Sequence, residues 1–266
     1  MSSSSIREKA QIIVVEGNIS AGKSTLIKKL ATKLNCIYYE EPTSSNPYLT
    51  LFYENPHQYA FIMQMWLLKQ RYLVYIKAMI QAQNGKTVIL DRSVFSDWVF
   101  AKNCHNDHLM TTEEFQQYCE QYFQLMKYLP DPDVVIYLET LPQTCYDRIH
   151  HMRKRDCESS IELTYLEGLH SFYSVFIQRM NKDNIILKLY DWNNFGSTKK
   201  IIEDITSSYH LLQSDKVFDI YEFRTFLFFT LFDLYVDKNY DEIIHLFKTF
   251  SFFDLEQKDI DLLIKD

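Results

Sequence analysis

One eight-residue stretch restricts the possible folds more than any other: Gly17-Asn18-Ile19-Ser20-Ala21-Gly22-Lys23-Ser24, continued by Thr25, fits G-x-x-x-x-G-K-[ST] at every specified position. An apolar run over residues 11–16 precedes it and reads as a buried strand, and helix formers follow over 23–34. Strand, glycine-rich turn and helix in that order make a phosphate-binding loop. Its backbone N–H groups turn inward, Lys23 reaches the outer phosphates, the Ser24 hydroxyl can ligate Mg²⁺, and the positive end of the helix faces the anion. A nucleoside triphosphate is therefore the expected ligand.

Further strands are expected at 36–39, 86–90, 133–138 and 185–190, alternating with helical patterns. The longest of these runs over 57–84 and is closed by Gly85, with Phe61, Met65, Leu68 and Ile76 along one stripe. Gln64 and Arg71 lie roughly two turns apart on that helix, so both can point into one cavity. Other helices are expected over 93–103, 142–152 and 161–180, from about residue 199, and from the capping box Thr111/Glu114 to about 128. Alternating strands and helices imply a parallel α/β sheet covered on both faces, with ligands beyond the carboxyl ends of the strands. The phosphate loop, Glu41-Pro42, Asp91-Arg92 and the loop 191–195 all fall there.

At 266 residues and 47% hydrophobic composition, one large α/β core can be buried, with a short polar N-terminus over 1–10, a main domain over 11–212 and a helical extension over 213–266. The net charge of −7 argues against nucleic acid or an anionic membrane as the main partner. Five scattered cysteines without a C-x-x-C pair point to neither a disulfide framework nor a zinc site, and no leader or spanning segment is read. A cytoplasmic setting and a small substrate are expected.

Glu41-Pro42, Tyr53 followed by Gln64, Asp91-Arg92-Ser93-Val94-Phe95-Ser96-Asp97, and Arg153-x-Arg155-x-x-Glu158 occur in the order in which deoxynucleoside kinases carry them. Over about 10–205 the chain resembles that family, which includes deoxycytidine, deoxyguanosine and deoxyadenosine kinases. The resemblance implies a P-loop kinase three-layer fold with a central parallel five-stranded sheet, transfer of the γ-phosphoryl of ATP or another triphosphate to a deoxynucleoside 5′-hydroxyl, Mg²⁺, and a homodimer.

It also implies roles for residues at matching positions. Glu41 would be the general base, with Lys23 and Arg92 at the transferring phosphoryl. Ser24 and Asp91 would form the metal site, although relatives usually carry Glu where this chain has Asp91. Arg148, Arg153 and Arg155, in a lid over about 148–160, would contact the donor; one residue more separates Arg148 from Arg153 than the family spacing. Gln64 would bind the base, Tyr53 and Glu158 the 3′-hydroxyl, and Phe52 and Phe100 would border the nucleoside. Arg71 with Asp97 would favour deoxyadenosine, deoxyguanosine or deoxycytidine over thymidine. A thymidylate-type monophosphate kinase and a non-catalytic relative of the fold are the competing readings. The first lacks a reason for Glu41-Pro42, and the second need not keep the catalytic set.

Overall fold

The computed structural model describes residues 11–208 other than 44, 128, 154–157 and 183, and the backbone alone of Arg153. The regions expected at 1–10 and 213–266, and Arg155, lie outside the described residues.

β1 (Ile12–Gly17), β3 (Val88–Asp91) and β4 (Val134–Glu139) are buried nearly throughout, as strands covered on both faces must be. β2 (Ile37–Tyr39) and β5 (Ile186–Asp191) form the edges, where Tyr38 and Leu189 are exposed. All pairings are parallel in the order β2-β3-β1-β4-β5, and central Val14 faces Leu90 on one side and Val135 on the other. The connecting helices are α1 (Lys23–Leu34), α2 (Leu49–Glu54), α3 (Pro56–Gln83), α4 (Asp97–Asn106), α5 (Thr112–Met126), α6 (Pro142–Asp147), α7 (Leu163–Met180) and α8 (Thr198–Ser208). This is a P-loop kinase architecture, with β1 delivering the phosphate loop at the centre of the sheet.

Several boundaries differ from the sequence expectation for identifiable reasons. Ser93 is extended and Val94–Ser96 forms a 3₁₀ turn, so α4 begins only at Asp97. The short α2 was not expected, because six residues wedged between turn-forming segments carry too little periodicity to register. On α3 the buried face runs through Ala60, Met63, Gln64, Leu67, Leu68 and Arg71, while Phe61 and Met65 are only half-buried. A helix packed on several sides has no single apolar stripe to read. The capping box at Thr111 forms in full, with Glu114 N–H donating to Thr111 Oγ1 at 3.1 Å and Thr111 N–H to Glu114 Oε2 at 2.8 Å.

Where an α-helix through residue 152 was expected, α6 ends at Asp147 and a π-helical turn spans Arg148–Arg153. A π turn closes hydrogen bonds one residue further along than an α turn, so it absorbs a single extra residue. The surplus residue between Arg148 and Arg153 thus has a local structural counterpart.

Candidate active site

The carboxyl ends of the strands converge on a cavity of about 350 Å³. The phosphate loop forms one wall. Gly17 at its start has φ +147, and a Cβ there would lie 2.8 Å from the Leu138 carbonyl oxygen, so the loop can leave β1 only through glycine. Ile19, Ser20, Gly22, Lys23, Ser24 and Thr25 line the cavity. Asn18 points away, its Nδ2 donating to the Leu166 carbonyl at 2.9 Å and so anchoring the loop to α7. Gly17 and Ala21 act through backbone alone.

Lys23 Nζ is buried and donates to the carbonyls of Gly17 at 3.1 Å and Asn18 at 2.8 Å. Burial, then the neighbouring Arg92, lowers its pKa to about 8. The charge that phosphates require is therefore lost from the free protein as pH rises through about 8. Bound polyphosphate adds negative charge and moves that titration upward. We expect kcat/KM for the triphosphate to fall above about pH 8, with kcat breaking at higher pH. A kcat/KM flat to pH 9.5 would show that Lys23 stays protonated without ligand.

Glu41 follows β2 and Arg92 follows β3, which brings an acid and a base from adjacent strands together. Arg92 Nε lies 3.1 Å from Glu41 Oε1, and Arg71 Nη2 donates to the same oxygen at 2.5 Å. Burial raises the Glu41 pKa, but Arg92, Arg71 and Lys23 together outweigh it and hold the carboxyl at about 2. Glu41 is thus ionised throughout the neutral range.

Arg92 sits at φ 64, in the left-handed region that a bulky residue enters at a cost of about 1–3 kcal/mol. Its surroundings hold it there. Its N–H donates to the Val15 carbonyl at 3.0 Å, Nη1 donates to the Gly17 carbonyl at 2.7 Å and to the Tyr173 hydroxyl, and the guanidinium lies 4.6 Å from the Phe100 ring centre. The next residue is fixed as well, because Ser93 N–H and Oγ–H both donate to buried Glu16 Oε1, at 2.9 and 2.8 Å.

Arg71 has two roles at once. Beyond its bond to Glu41, its Nη1 donates to Asp97 Oδ1, and Tyr118 donates its hydroxyl to Asp97 Oδ2 at 2.6 Å. Both Asp97 oxygens are engaged and the side chain is fully buried, so Asp97 reaches the cavity only through Arg71. Arg71 Nε is buried and has no hydrogen-bond partner among the described residues, as is Gln64 Oε1. Two residues that line the same cavity, on one face of α3, thus carry an unpartnered donor and an unpartnered acceptor.

Phe52, Tyr53, Phe100 and Glu158 also line it. Phe100 lies beneath both guanidinium groups, 5.0 Å from Arg71, so much of its ring is engaged with protein cations. Asp91 does not line the cavity. Ser24 donates its hydroxyl to Asp91 Oδ2 at 2.5 Å, while Asp91 Oδ1 is buried without a hydrogen-bond partner among the described residues. Burial raises the Asp91 pKa.

Arg148, expected to contact the donor nucleotide, lines the cavity and is also bonded to protein carbonyls. Its Nη1 donates to the Ala21 carbonyl at 3.1 Å, and its Nη2 donates to the carbonyls of Trp192 and Asn193 at 2.8 Å each. The Phe195 ring stacks over it, 4.0 Å from centroid to guanidinium carbon. Arg148 thus ties the phosphate loop to the loop after β5. It borders the cavity with few N–H groups left for phosphate. Sequence reading missed Glu16, Tyr118, Tyr165 and Tyr173, since buried polar residues among apolar neighbours carry no periodic signal.

Residues 13–212 match the family model described as deoxynucleoside kinase. A deoxyguanosine kinase of Dictyostelium discoideum is 44% identical over 199 residues, 74% of this chain and 70% of the relative. A deoxyadenosine kinase of the same organism is 31% identical over 201 residues, 76% and 80% of the two chains. Among solved structures, a deoxyadenosine kinase from M. mycoides with the products dCMP and a flexible dCDP bound aligns with TM-score 0.63 and 28% identity, covering 75% of this chain and 98% of that one.

Proposed function

This chain belongs to the deoxynucleoside kinase family, and from that premise we propose that it prefers deoxyguanosine, deoxyadenosine or deoxycytidine over thymidine, with deoxyguanosine leading. The observation that carries this reading is the convergence of the phosphate loop, Glu41, Arg92, Arg71 and Gln64 on one cavity. Gln64 Oε1 and Arg71 Nε ask for a base edge that offers an N–H beside an acceptor, and thymine would bring its 5-methyl group toward a charged, hydrogen-bonding wall. The rank of deoxyguanosine is supported by the relative 44% identical to this chain.

Phosphoryl transfer asks the protein mainly for alignment and positive charge. In this reading the backbone of residues 17–25 and Lys23 hold the triphosphate, ATP or another, Glu41 accepts the 5′-hydroxyl proton, and Arg92 bridges Glu41 to the transferring group. Tyr53 and Glu158 would hold the 3′-hydroxyl. Phe52 and Phe100 would border the nucleoside, and Arg153 and Arg155 would complete the donor site. Ser24 and Asp91 supply hard oxygen donors, one of them unpartnered, which fits Mg²⁺ carried in with phosphates. When bound, that ion would neutralise charge on the phosphate oxygens.

We further propose a kinase domain over 11–212 with an appendage over 213–266, supported by the extent of the family match. A homodimer follows from the family resemblance, and light scattering of the purified chain measures it. Described cysteines 36, 104, 119 and 145 are free thiols, as a reducing cytoplasm allows, and among the described residues no helix is long and apolar enough to cross a membrane.

The test is Mg²⁺-dependent phosphorylation of the four deoxynucleosides, each offered beside its monophosphate. Nucleosides should turn over and thymidine should be poorest. In Arg71→Met/Asp97→Ala the ratio of thymidine to deoxyguanosine kcat/KM should rise about 10- to 100-fold. A double variant that still excludes thymidine would remove Arg71 and Asp97 as the discriminating pair, and turnover of monophosphates alone would mean that the acceptor site is misread.

A further inference from the structure

A carboxamide has an acceptor end and a donor end of nearly equal shape, so a site that reads a base with glutamine must fix which end faces the ligand. Gln64 is fully buried in the wall of the cavity. Its Nε2 donates to Cys104 Sγ at 3.6 Å, which leaves Oε1 as the other end of the carboxamide, buried and without a hydrogen-bond partner among the described residues. Cys104, on α4, is itself fully buried, and burial pushes its thiol up to about 12, so it stays neutral. The hydroxyl of Tyr165, which stands on α7 and lines the cavity, interacts with the same sulfur.

The contact between these helices is close. Asn103 Nδ2 donates to the Tyr165 carbonyl at 3.3 Å, and a Cβ on Gly168 would lie 2.0 Å from Asn103 Oδ1. A side chain at 168 would have to displace the buried Asn103 carboxamide, so glycine there suits the close approach of α7 to α4, which brings Tyr165 near Cys104.

We propose that Cys104 is a positioning residue for base recognition: backed by Tyr165, it holds the Gln64 carboxamide with Oε1 toward the cavity, so that the site takes nucleobases presenting an N–H donor there. The proposal rests on the nucleoside kinase reading. Chemically, the amino groups of adenine and cytosine and the ring N–H of guanine qualify, whereas unsubstituted purine, which has neither, does not. Without the sulfur the carboxamide is free to turn its N–H₂ end inward, and the donor requirement relaxes.

The test compares Cys104→Val, similar in size without an acceptor, with Cys104→Ser, which keeps one, using deoxyadenosine and purine 2′-deoxyriboside as acceptors. Cys104→Val should raise the deoxyadenosine KM about tenfold with kcat within about twofold, and should shrink the preference over purine deoxyriboside by a similar factor; Cys104→Ser should recover most of both. In a Gln64→Ala background the Cys104→Val effect on KM should fall below about twofold, because the residue acts through Gln64. Tyr165→Phe, which keeps the ring, should reproduce part of the KM change if Cys104→Val fails to fold. An unmoved KM in Cys104→Val, or a change that persists without Gln64, overturns the proposal while leaving the kinase reading intact. Wild-type protein that neither phosphorylates nor binds any deoxynucleoside overturns both.

Discussion

Glu41→Gln should lower turnover by about 10²- to 10⁴-fold and change nucleoside affinity only a few-fold. The substitution keeps the shape of the side chain and one acceptor oxygen but removes the capacity to take a proton. The geometry adds a reason to expect the upper part of that range. Burial works against the charge on Glu41, yet Arg92, Arg71 and Lys23 hold its carboxyl at about 2, so in the free protein it is ionised but a poor proton acceptor. A bound triphosphate would draw Arg92 and Lys23 toward its own oxygens, and the proton affinity of Glu41 would rise when the hydroxyl proton has to leave. The carboxylate and the bound phosphates would thus share one set of cations. Neutral glutamine cannot take part in that exchange, and it also leaves Arg71 and Arg92 short of a buried counter-charge. Melting temperature should therefore be recorded with the kinetics. A folded Glu41→Gln enzyme with near-native kcat would end the assignment of Glu41 as the base.

Arg92→Lys should reduce kcat by about 10²- to 10³-fold in spite of conserving charge. Arg92 joins the phosphate loop, Glu41 and α7 through two nitrogens: Nη1 serves the Gly17 carbonyl and the Tyr173 hydroxyl, while Nε faces Glu41. A lysine ammonium is a single point and cannot span those positions. The strained backbone at φ 64 shows how firmly this residue is held, and the Ser93 bonds to Glu16 keep the following residue in place in the variant. Loss of rate with nucleoside KM within a few-fold is the expected pattern, since the interaction matters most as charge shifts onto the transferring group. Retention of kcat within about tenfold would mean that charge alone, without the fork, is what the site uses.

Arg71 connects these two results to specificity. One nitrogen holds Asp97 and another holds Glu41, so the side chain expected to discriminate between bases also orients the carboxylate proposed as the general base. The Arg71→Met/Asp97→Ala enzyme should accordingly gain thymidine at some expense in overall kcat.

The amino-acid sequence by itself determined the architecture, because its signals are local. A strand, a G-x-x-x-x-G-K-[ST] turn and a helix must be contiguous to work, and the apolar runs of β1, β3 and β4 mark strands covered on both faces. Glu41 and Arg92 were legible for the same reason, each standing just past the end of a strand. What depends on pairs distant in the chain was decided only by the tertiary structure. Arg148 reads as one member of a basic run, yet packing places it under Phe195 and against three carbonyls. Glu16, Tyr118 and Tyr173 look like ordinary core positions until folding brings them against Ser93, Asp97 and Arg92. Cys104 is the sharpest case, since a lone cysteine on a helix means nothing until α3 and α7 bring Gln64 and Tyr165 to its sulfur. Hydrogen-bond partners of buried polar groups are chosen by packing, and packing leaves no periodicity in the chain.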